Sequence, residues 1–319
     1  MKTFRSLMVS FLIWSFTAAA SAAQLLVPGG QLIGLQLQDN TVTVVAFEEK
    51  LSPAKAAGLQ AGDRILQVDN KPVRSVEDIR SALARSDGQV DISVLRGKKT
   101  KAFCVCPTAT QDGPKLGVYL KQGTTGVGTV TYYDPEDGSF AALGHGVNTP
   151  NGNLLQMTEG TVYPAEVSSV KKGAIGTPGQ LVGTITDLQA CGKLSKNTNQ
   201  GVFGSVATLS SAEPLPVARP EEVRTGKATI RSTVEGNALK EYSVEILKIY
   251  PNPDARTRNM LLKVTDPTLL TTTGGIVQGM SGSPIIQDGK LVGAVTHVLV
   301  NDPTTGYGIF IENMLDAAA

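Results

Sequence analysis

A serine set between glycines lies in the last fifth of the chain, in the sequence Gly279-Met280-Ser281-Gly282-Ser283-Pro284. Glycines permit a tight turn with unusual backbone torsions, and such a turn can aim successive N–H groups at one point, as an oxyanion hole requires. Residues 285–295 then read as two short strands joined by an Asp-Gly turn, so the serine precedes a β-hairpin. The pattern is typical of a nucleophile, with an ordinary turn between two strands as the alternative.

A serine hydroxyl needs a base to become nucleophilic, and the chain has only two histidines. His145 lies between two glycines at the end of a predicted strand, where there is room for both a partner and a substrate. His297 lies inside the apolar run 291–299, which is typical of a core position or a pocket wall. We therefore assign His145 as the general base.

The third group of such a system is a carboxylate that holds the other ring nitrogen of the histidine. Asp266 follows a predicted strand and precedes Ser281, but an Asp-Pro pair is also a common turn starter. Three other aspartates are rivals for the role: Asp134, Asp187 and Asp302.

The composition restricts the class of protein. The net charge is +1, so no strong field favours nucleic acid. The chain has 34 glycines and only 5% aromatic residues, which favours short strands joined by tight turns over helical bundles. The three cysteines cannot complete a disulfide framework and lack the paired spacing of a zinc site, so we expect neither a metal nor another cofactor.

The amino terminus, residues 1–23, reads as a secretory signal peptide or an uncleaved membrane anchor. Lys2 and Arg5 precede a short apolar run, and Ala20-Ser21-Ala22 fits a small-x-small cleavage pattern. In either case we expect the rest of the chain to lie outside the cytoplasm, exported across the cytoplasmic membrane.

Residues 24–106 read as one α+β unit. Three motifs in it are informative, at residues 52–59, 62–66 and 70–73. Their order resembles a PDZ domain of the bacterial protease-associated type. The resemblance implies a carboxylate-binding loop at Ile33, Gly34 and Leu35, where a peptide C-terminus is held and the peptide adds as an extra strand. Val76 and Ile79 line that groove by the same resemblance, although their spacing also fits the core face of a helix.

Residues 107–114 read as a linker, and residues 115–319 as short apolar runs divided by glycine, proline and asparagine. That pattern predicts an antiparallel sandwich or barrel. The order of the histidine, aspartate and serine motifs, ending in Gly293-Ala294-Val295-Thr296-His297-Val298, resembles the stage IV sporulation protein B (SpoIVB) family of serine peptidases.

The resemblance implies a mainly β chain in which the PDZ domain precedes a chymotrypsin-like double β-barrel. It implies Ser281 as nucleophile, His145 as base and Asp266 as orienting acid, with an oxyanion hole at the N–H groups of Gly279 and Ser281. It also places Thr296, His297 and Val298 beside the substrate. Two features depart from chymotrypsin-like enzymes: Met280 replaces an acidic residue, and Asp266 is unusually close to the serine.

The function implied by the resemblance is a secreted or membrane-tethered endopeptidase of spore-forming bacteria. Such an enzyme cleaves itself, then acts on a membrane-bound regulator of an intramembrane protease, in the space between forespore and mother-cell membranes. Peptide C-termini are the expected ligands of the PDZ groove. The alternative is a non-catalytic binding protein that uses a PDZ module and an inactive barrel to dock a membrane partner.

Overall fold

The structure is a computed structural model that describes residues 24–206, 212–251 and 257–319. The predicted leader, residues 1–23, lies outside the described residues. The chain is mainly β, as the sequence predicted. None of the helices in the described residues is both long enough and apolar enough to cross a membrane.

The strands in the first 206 residues are β1 (Leu25–Pro28), β2 (Leu32–Phe47), β3 (Arg64–Val68), β4 (Lys71–Pro72), β5 (Val90–Arg96), β6 (Lys99–Val105), β7 (Thr108–Thr110), β8 (Gly113–Lys115), β9 (Val118–Tyr133), β10 (Ser139–Ala142), β11 (Glu159–Lys171), β12 (Gln180–Ile185), β13 (Gly192–Thr198) and β14 (Gly201–Val206). The later strands are β15 (Leu215–Pro216), β16 (Gly226–Thr233), β17 (Leu239–Ile249), β18 (Met260–Val264), β19 (Pro284–Gln287), β20 (Lys290–Leu299) and β21 (Asp302–Phe310). The helices are α1 (Pro53–Ala56), α2 (Val76–Ala84), α3 (Pro267–Thr273) and α4 (Ile311–Ala318).

Two closed barrels form the body of the molecule. In the first, the antiparallel ring runs β9–β10–β14–β13–β11–β2 and returns to β9. The second barrel is closed in the order β16–β17–β18–β21–β20–β19. This pair of antiparallel barrels is the chymotrypsin-like fold that the sequence predicted, and each barrel has its own apolar core.

Strand β17 shows why these residues form barrel strands. Tyr242, Val244 and Ile246 alternate with exposed polar residues, and all three side chains are buried in the second core. A period of two places alternate side chains on one face of a strand, which is the face that closes over the barrel interior.

The PDZ unit is inserted into a hairpin of the first barrel. Strands β2 and β9 pair from Leu32 and Thr129 at one end to Phe47 and Val118 at the other. Their barrel halves contribute to the first core, and their outer halves join a separate core with α1, α2, β3, β5 and β6. The unit therefore ends near residue 122, whereas the sequence predicted a PDZ domain over 24–106 that precedes the barrels.

An irregularity separates the barrel half of the β2–β9 strand pair from its outer half. It lies in residues 38–41 of β2 and at Gly123 of β9. The strand register shifts between Leu37 and Val42, and Gly123 adopts a left-handed φ of 71°. A Cβ at Gly123 would collide with the carbonyl oxygen of Leu37. Only glycine combines that torsion with so close an approach, so this residue allows one strand pair to serve two cores.

Two sequence predictions are corrected here. Residues 107–114 are not an extended linker, because most of them form the β7–β8 hairpin. Ile33, Gly34 and Leu35 are not a PDZ loop: they lie in β2, paired on one side with β9 and on the other with β11. With both edges of the strand already paired, no peptide can add there.

Candidate active site between the two barrels

The turn that carries Ser281 is held in the second barrel by Met280, whose side chain is fully buried in that core. Met280 N donates to Val277 O, and Ser283 N donates to Met280 O. Gly279 and Gly282 on either side of the serine have φ values of 98° and 99°. These are left-handed torsions that glycine adopts without strain, which explains why the serine requires glycine neighbours.

Gly282 brings the serine turn against the loop that carries the histidine. A Cβ at residue 282 would collide with the carbonyl oxygen of Thr129 and would lie 2.5 Å from the backbone nitrogen of Leu143. On the histidine side, Leu143 and Gly144 both have left-handed φ values, 72° and 67°. The two loops that the sequence singled out therefore meet backbone to backbone across the boundary of the barrels.

Two backbone N–H groups of the turn that carries Ser281 are candidate oxyanion donors. Gln278 O accepts a hydrogen bond from Leu181 N (2.8 Å), which sets the orientation of the peptide group containing the Gly279 N–H. Among the described residues, the N–H groups of Gly279 and Ser281 have no hydrogen-bond acceptor. Two unpaired donors two residues apart, in a turn built by glycine, can stabilise a developing oxyanion.

The ring of His145 is partly buried, and its Nδ1 lies 3.0 Å from Gly146 O. A carbonyl oxygen can only accept, so Nδ1 carries the proton and Nε2 has the free lone pair of a base. Burial lowers the pKa of His145 below its ordinary value of 6.5, and the Gly146 hydrogen bond opposes this only in part. The imidazole is therefore neutral, as a general base must be.

His297 lies beside the base, and its neighbour in the chain, Thr296, contacts the serine. The hydroxyl of Ser281 donates to Thr296 O (2.7 Å), and the ring centre of His297 lies 5.1 Å from that of His145. The serine proton is thus held by a carbonyl, and no hydrogen bond among the described residues joins Ser281 to His145. Both imidazoles open onto one cleft of about 420 Å³.

The comparison with protein families matches residues 112–315 to the SpoIVB peptidase S55 model, and residues 48–96 to a PDZ domain model. The chain belongs to the SpoIVB peptidase S55 family. The range matched by the peptidase model contains both Ser281 and His145.

Curated relatives match chiefly over part of the chain. A putative zinc metalloprotease of Rhizobium meliloti is 27% identical over 219 residues, which is 65% of this chain and 52% of that protein. A mitochondrial serine protease HTRA2 of Drosophila virilis is 36% identical over 56 residues, or 18% of this chain and 13% of that one. The chain spans about half the length of the first of these relatives. No cluster of three potential His, Cys, Asp or Glu metal ligands occurs among the described residues.

Solved structures are similar at low sequence identity. A protease from M. tuberculosis in its active form covers 60% of this chain and 72% of its own, with 17% identity and a TM-score of 0.37. A PDZ domain of an SdrC-like protein from Listeria monocytogenes is 25% identical, with a TM-score of 0.23; it covers 25% of this chain and 87% of its own.

The structure of this S55 peptidase places Asp266 at the start of α3. Its side chain accepts from Leu269 N (2.9 Å) and more weakly from Ser243 N (3.4 Å), so the carboxylate caps the helix. No hydrogen bond in the described residues joins Asp266 to His145, whose Nδ1 is bonded to Gly146 O. The role of Asp266 as orienting acid therefore stays a prediction.

The rival aspartates also have local partners in the described part of the chain. Asp134 accepts from Gln24 and Glu136, Asp187 from Gln189, and Asp302 from Thr304 and Thr305. None of these aspartates bonds to His145.

The predicted substrate-side residues have different environments. His297 lines the cleft. Thr296 is buried, with its hydroxyl 3.2 Å from both Thr257 O and Tyr307 O and able to donate to one of them at a time, and only its carbonyl faces the serine. Val298 is partly buried against the second core. In the PDZ unit, Ile79 is buried in the core and Val76 packs against it, which is the core-face alternative for these two helix positions.

Thr129 of β9 is a site residue that sequence reasoning missed. Its hydroxyl donates to Gly279 O (2.7 Å), its N–H to Ser281 O (3.2 Å), and its carbonyl accepts from Leu143 N (3.2 Å). One fully buried residue therefore contacts both the serine turn and the histidine loop. Its sequence context, an alternating strand, carries no signal of that role.

Replacing Thr129 tests this contact. Thr129→Val removes the hydroxyl and leaves the Gly279 carbonyl without its donor, which we expect to lower the free energy of unfolding by about 1–3 kcal/mol. We also expect kcat to fall more than KM changes, because the loosened turn holds the oxyanion donors. Denaturant unfolding and steady-state kinetics measure the two effects, and Thr129→Ser should retain most of both.

Thr131→Val is the matched control. Thr131 is buried in the same strand, and its hydroxyl has no hydrogen-bond partner among the described residues, so its loss should be neutral or stabilising. Equal effects of the two valine substitutions on activity would contradict a special contact at Thr129.

The N-cap of α3 gives a second prediction. Asp266→Ala should lower the free energy of unfolding by about 1 kcal/mol, whereas Asp266→Asn should stay within a few tenths because asparagine caps equally well. Chemical denaturation measures both. If Asp266→Asn abolished peptidase activity at unchanged stability, the carboxylate would have a role beyond the cap.

The environment of His145 predicts the pH dependence. The neutral ring is the active form, so kcat/KM should fall as pH falls through the pKa of His145, with a midpoint below 6.5 because burial lowers that pKa. The measurement uses a peptide without titratable groups, and melting temperatures over the same range exclude unfolding. A midpoint above 6.5 would instead indicate a carboxylate partner on the ring, which raises a histidine pKa.

Proposed function

We propose that this chain is an exported serine endopeptidase that cleaves itself and then acts in a proteolytic signalling step of sporulation. The observation that carries the catalytic part is the backbone contact between the serine turn and the histidine loop at Gly282 and Leu143. The leader-like residues 1–23 support export, and the family resemblance supports the sporulation role.

The proposed mechanism begins with rotation of the Ser281 hydroxyl away from Thr296 O towards His145. Oγ attacks the scissile carbonyl carbon while Nε2 of His145 takes its proton, and the N–H groups of Gly279 and Ser281 stabilise the oxyanion. His145 then returns the proton to the leaving amine, giving an acyl-enzyme that water hydrolyses by the same steps. Removing one oxyanion donor costs about 2.7–4 kcal/mol in comparable enzymes.

The proposed substrates are proteins, including this chain. By the family resemblance, one further substrate is a membrane-bound regulator of an intramembrane protease, cleaved in the space between the forespore and mother-cell membranes. The barrels supply the cleavage, and the PDZ unit supplies a second docking point for peptide.

We place the peptide-docking edge of the PDZ unit at residues 116–122. There β9 pairs only with β2 among the described strands, so its other edge is open. Helix α2 begins beside that edge, since Val76 N donates to Gln122 Oε1. The N–H groups of Leu116 and Gly117 have no acceptor among the described residues, so they are available to a peptide carboxylate.

The nucleophile is tested with a fluorophosphonate probe and by following self-cleavage of the full chain. Wild type should label and produce fragments; Ser281→Ala and His145→Gln should lose both activities. Ser283→Ala is the matched control, because that hydroxyl bonds only to Ser232 Oγ (3.1 Å) and should be dispensable for labelling. If Ser281→Ala still formed the same fragments, another group would be the nucleophile.

The docking edge is tested by NMR titration with a peptide that has a free C-terminal carboxylate. The amide signals of Gly117 and Tyr119 should move, and those of residues 33–35 should stay, because that segment is paired on both sides. The same peptide with an amidated C-terminus should bind more weakly. Movement of the 33–35 signals alone would contradict the assignment.

A further inference from the structure

The cleft beside the two imidazoles is lined by polar side chains. Among the described residues its lining contains amide, hydroxyl, imidazole and guanidinium groups and no carboxylate: His145, Gly146, Asn148, Asn199, Gln200, Thr257, Arg258 and His297. Apart from the imidazole of His145, the mechanism above uses none of these side chains. A polar cleft with donors and one permanent cation is suited to an anionic group.

Arg258 is the one permanent cation that the described residues contribute to the cleft. Its guanidinium carbon lies 5.2 Å from the centre of the Tyr307 ring, which stacks against it. Among the described residues Arg258 forms no ion pair, unlike Arg96 of the PDZ unit, which holds Asp63 through two hydrogen bonds of 2.7 Å. The planar fork of an arginine matches a carboxylate in a bidentate arrangement, and here that fork is available.

The ring of His297 lines the same cleft. Its Nδ1 is buried and has no hydrogen-bond partner among the described residues, which is costly in a folded protein. Burial, followed by the charges of His145 and Arg258, lowers the pKa of His297 to about 4. The ring is therefore neutral at pH 7, and an anion bound beside it would raise that pKa by favouring the charged form.

We infer that this cleft binds a carboxylate of the substrate next to the scissile bond, held by Arg258 and the ring of His297. The inference rests on the proposed peptidase function and specifies its substrate class as acidic segments of protein chains. The carboxylate comes either from an aspartate or glutamate side chain or from a chain terminus, and peptide pairs can distinguish the two.

The first experiment measures cleavage. A mixture of peptides is digested with the full chain and the cut sites are mapped by mass spectrometry; the best substrate is then remade with Gln for Glu, and with an amidated terminus. We expect Asp or Glu within two residues of the cleaved bond. We also expect kcat/KM to be lower, on the order of tenfold, for the peptide in which Gln replaces Glu. A loss with the amidated peptide alone would assign the site to a chain terminus.

The variants locate the effect. Arg258→Gln should reduce the Glu-to-Gln preference to about twofold or less, and Arg258→Lys should give an intermediate value because it keeps charge without the fork. Lys248→Gln is the matched control. Lys248 also lies over a tyrosine, with its Nζ 5.0 Å from the centre of the Tyr250 ring, and the substitution removes one positive charge outside the cleft. An equal loss of preference in Lys248→Gln would overturn the inference.

A binding measurement separates this inference from the proposed function. The Ser281→Ala protein is titrated with the Glu and Gln peptides by fluorescence polarisation. If the protein binds the Glu peptide more tightly than the Gln peptide, and Arg258→Gln abolishes that preference, the inference is supported. This holds even if the wild type cleaves neither peptide, an outcome in which the proposed function fails. Equal cleavage and equal binding of both peptides would overturn the inference and leave the peptidase function standing.

Discussion

The active site depends on one close approach of two backbones. Gly282 lies against the carbonyl of Thr129 and the N–H of Leu143, where any side chain would collide with both. This contact joins the second barrel, which carries the serine, to the first barrel, which carries the histidine. Because the loops meet through main-chain atoms, their separation is set by the rigid barrels and not by mobile side chains.

Strand β9 connects the contact between Gly282 and Thr129 to the PDZ unit. Its outer half forms the open edge beside α2, and its inner half contains Thr129 and pairs with the barrel strands. The inserted unit is therefore tethered at both ends by one hairpin of the catalytic domain. One continuous strand therefore links the open edge of the PDZ unit to the residue that contacts the serine turn.

The electrostatics of the site differ from those of a serine protease with a buried aspartate on its histidine. Here a carbonyl, Gly146 O, sets the tautomer of His145, and burial keeps the ring neutral. Asp266 caps a helix. A neutral base without a carboxylate at Nδ1 stabilises its imidazolium less, so this arrangement places more of the catalytic demand on the oxyanion donors.

The sequence by itself predicted the candidate reactive groups and determined the class of fold. Ser281 needs glycine neighbours for its turn, only two histidines exist, and period-two apolar runs of low aromatic content predict antiparallel barrels. Those are local properties, readable from spacing and torsional preference. The PDZ motifs at 52–73 were equally local, and a PDZ domain model matches residues 48–96.

Tertiary structure alone decided what is distant in sequence. Nothing local distinguishes the two halves of β2, so the insertion of the PDZ unit and the pairing of Ile33–Leu35 with two strands depend on long-range register. The contact of Asp266 with Ser243, the approach of the His297 and His145 rings, and the hydrogen bond of Thr129 to the serine turn also join residues that are distant in sequence. A side chain's chemistry follows from its type, but its partner is chosen by which barrel surfaces pack together.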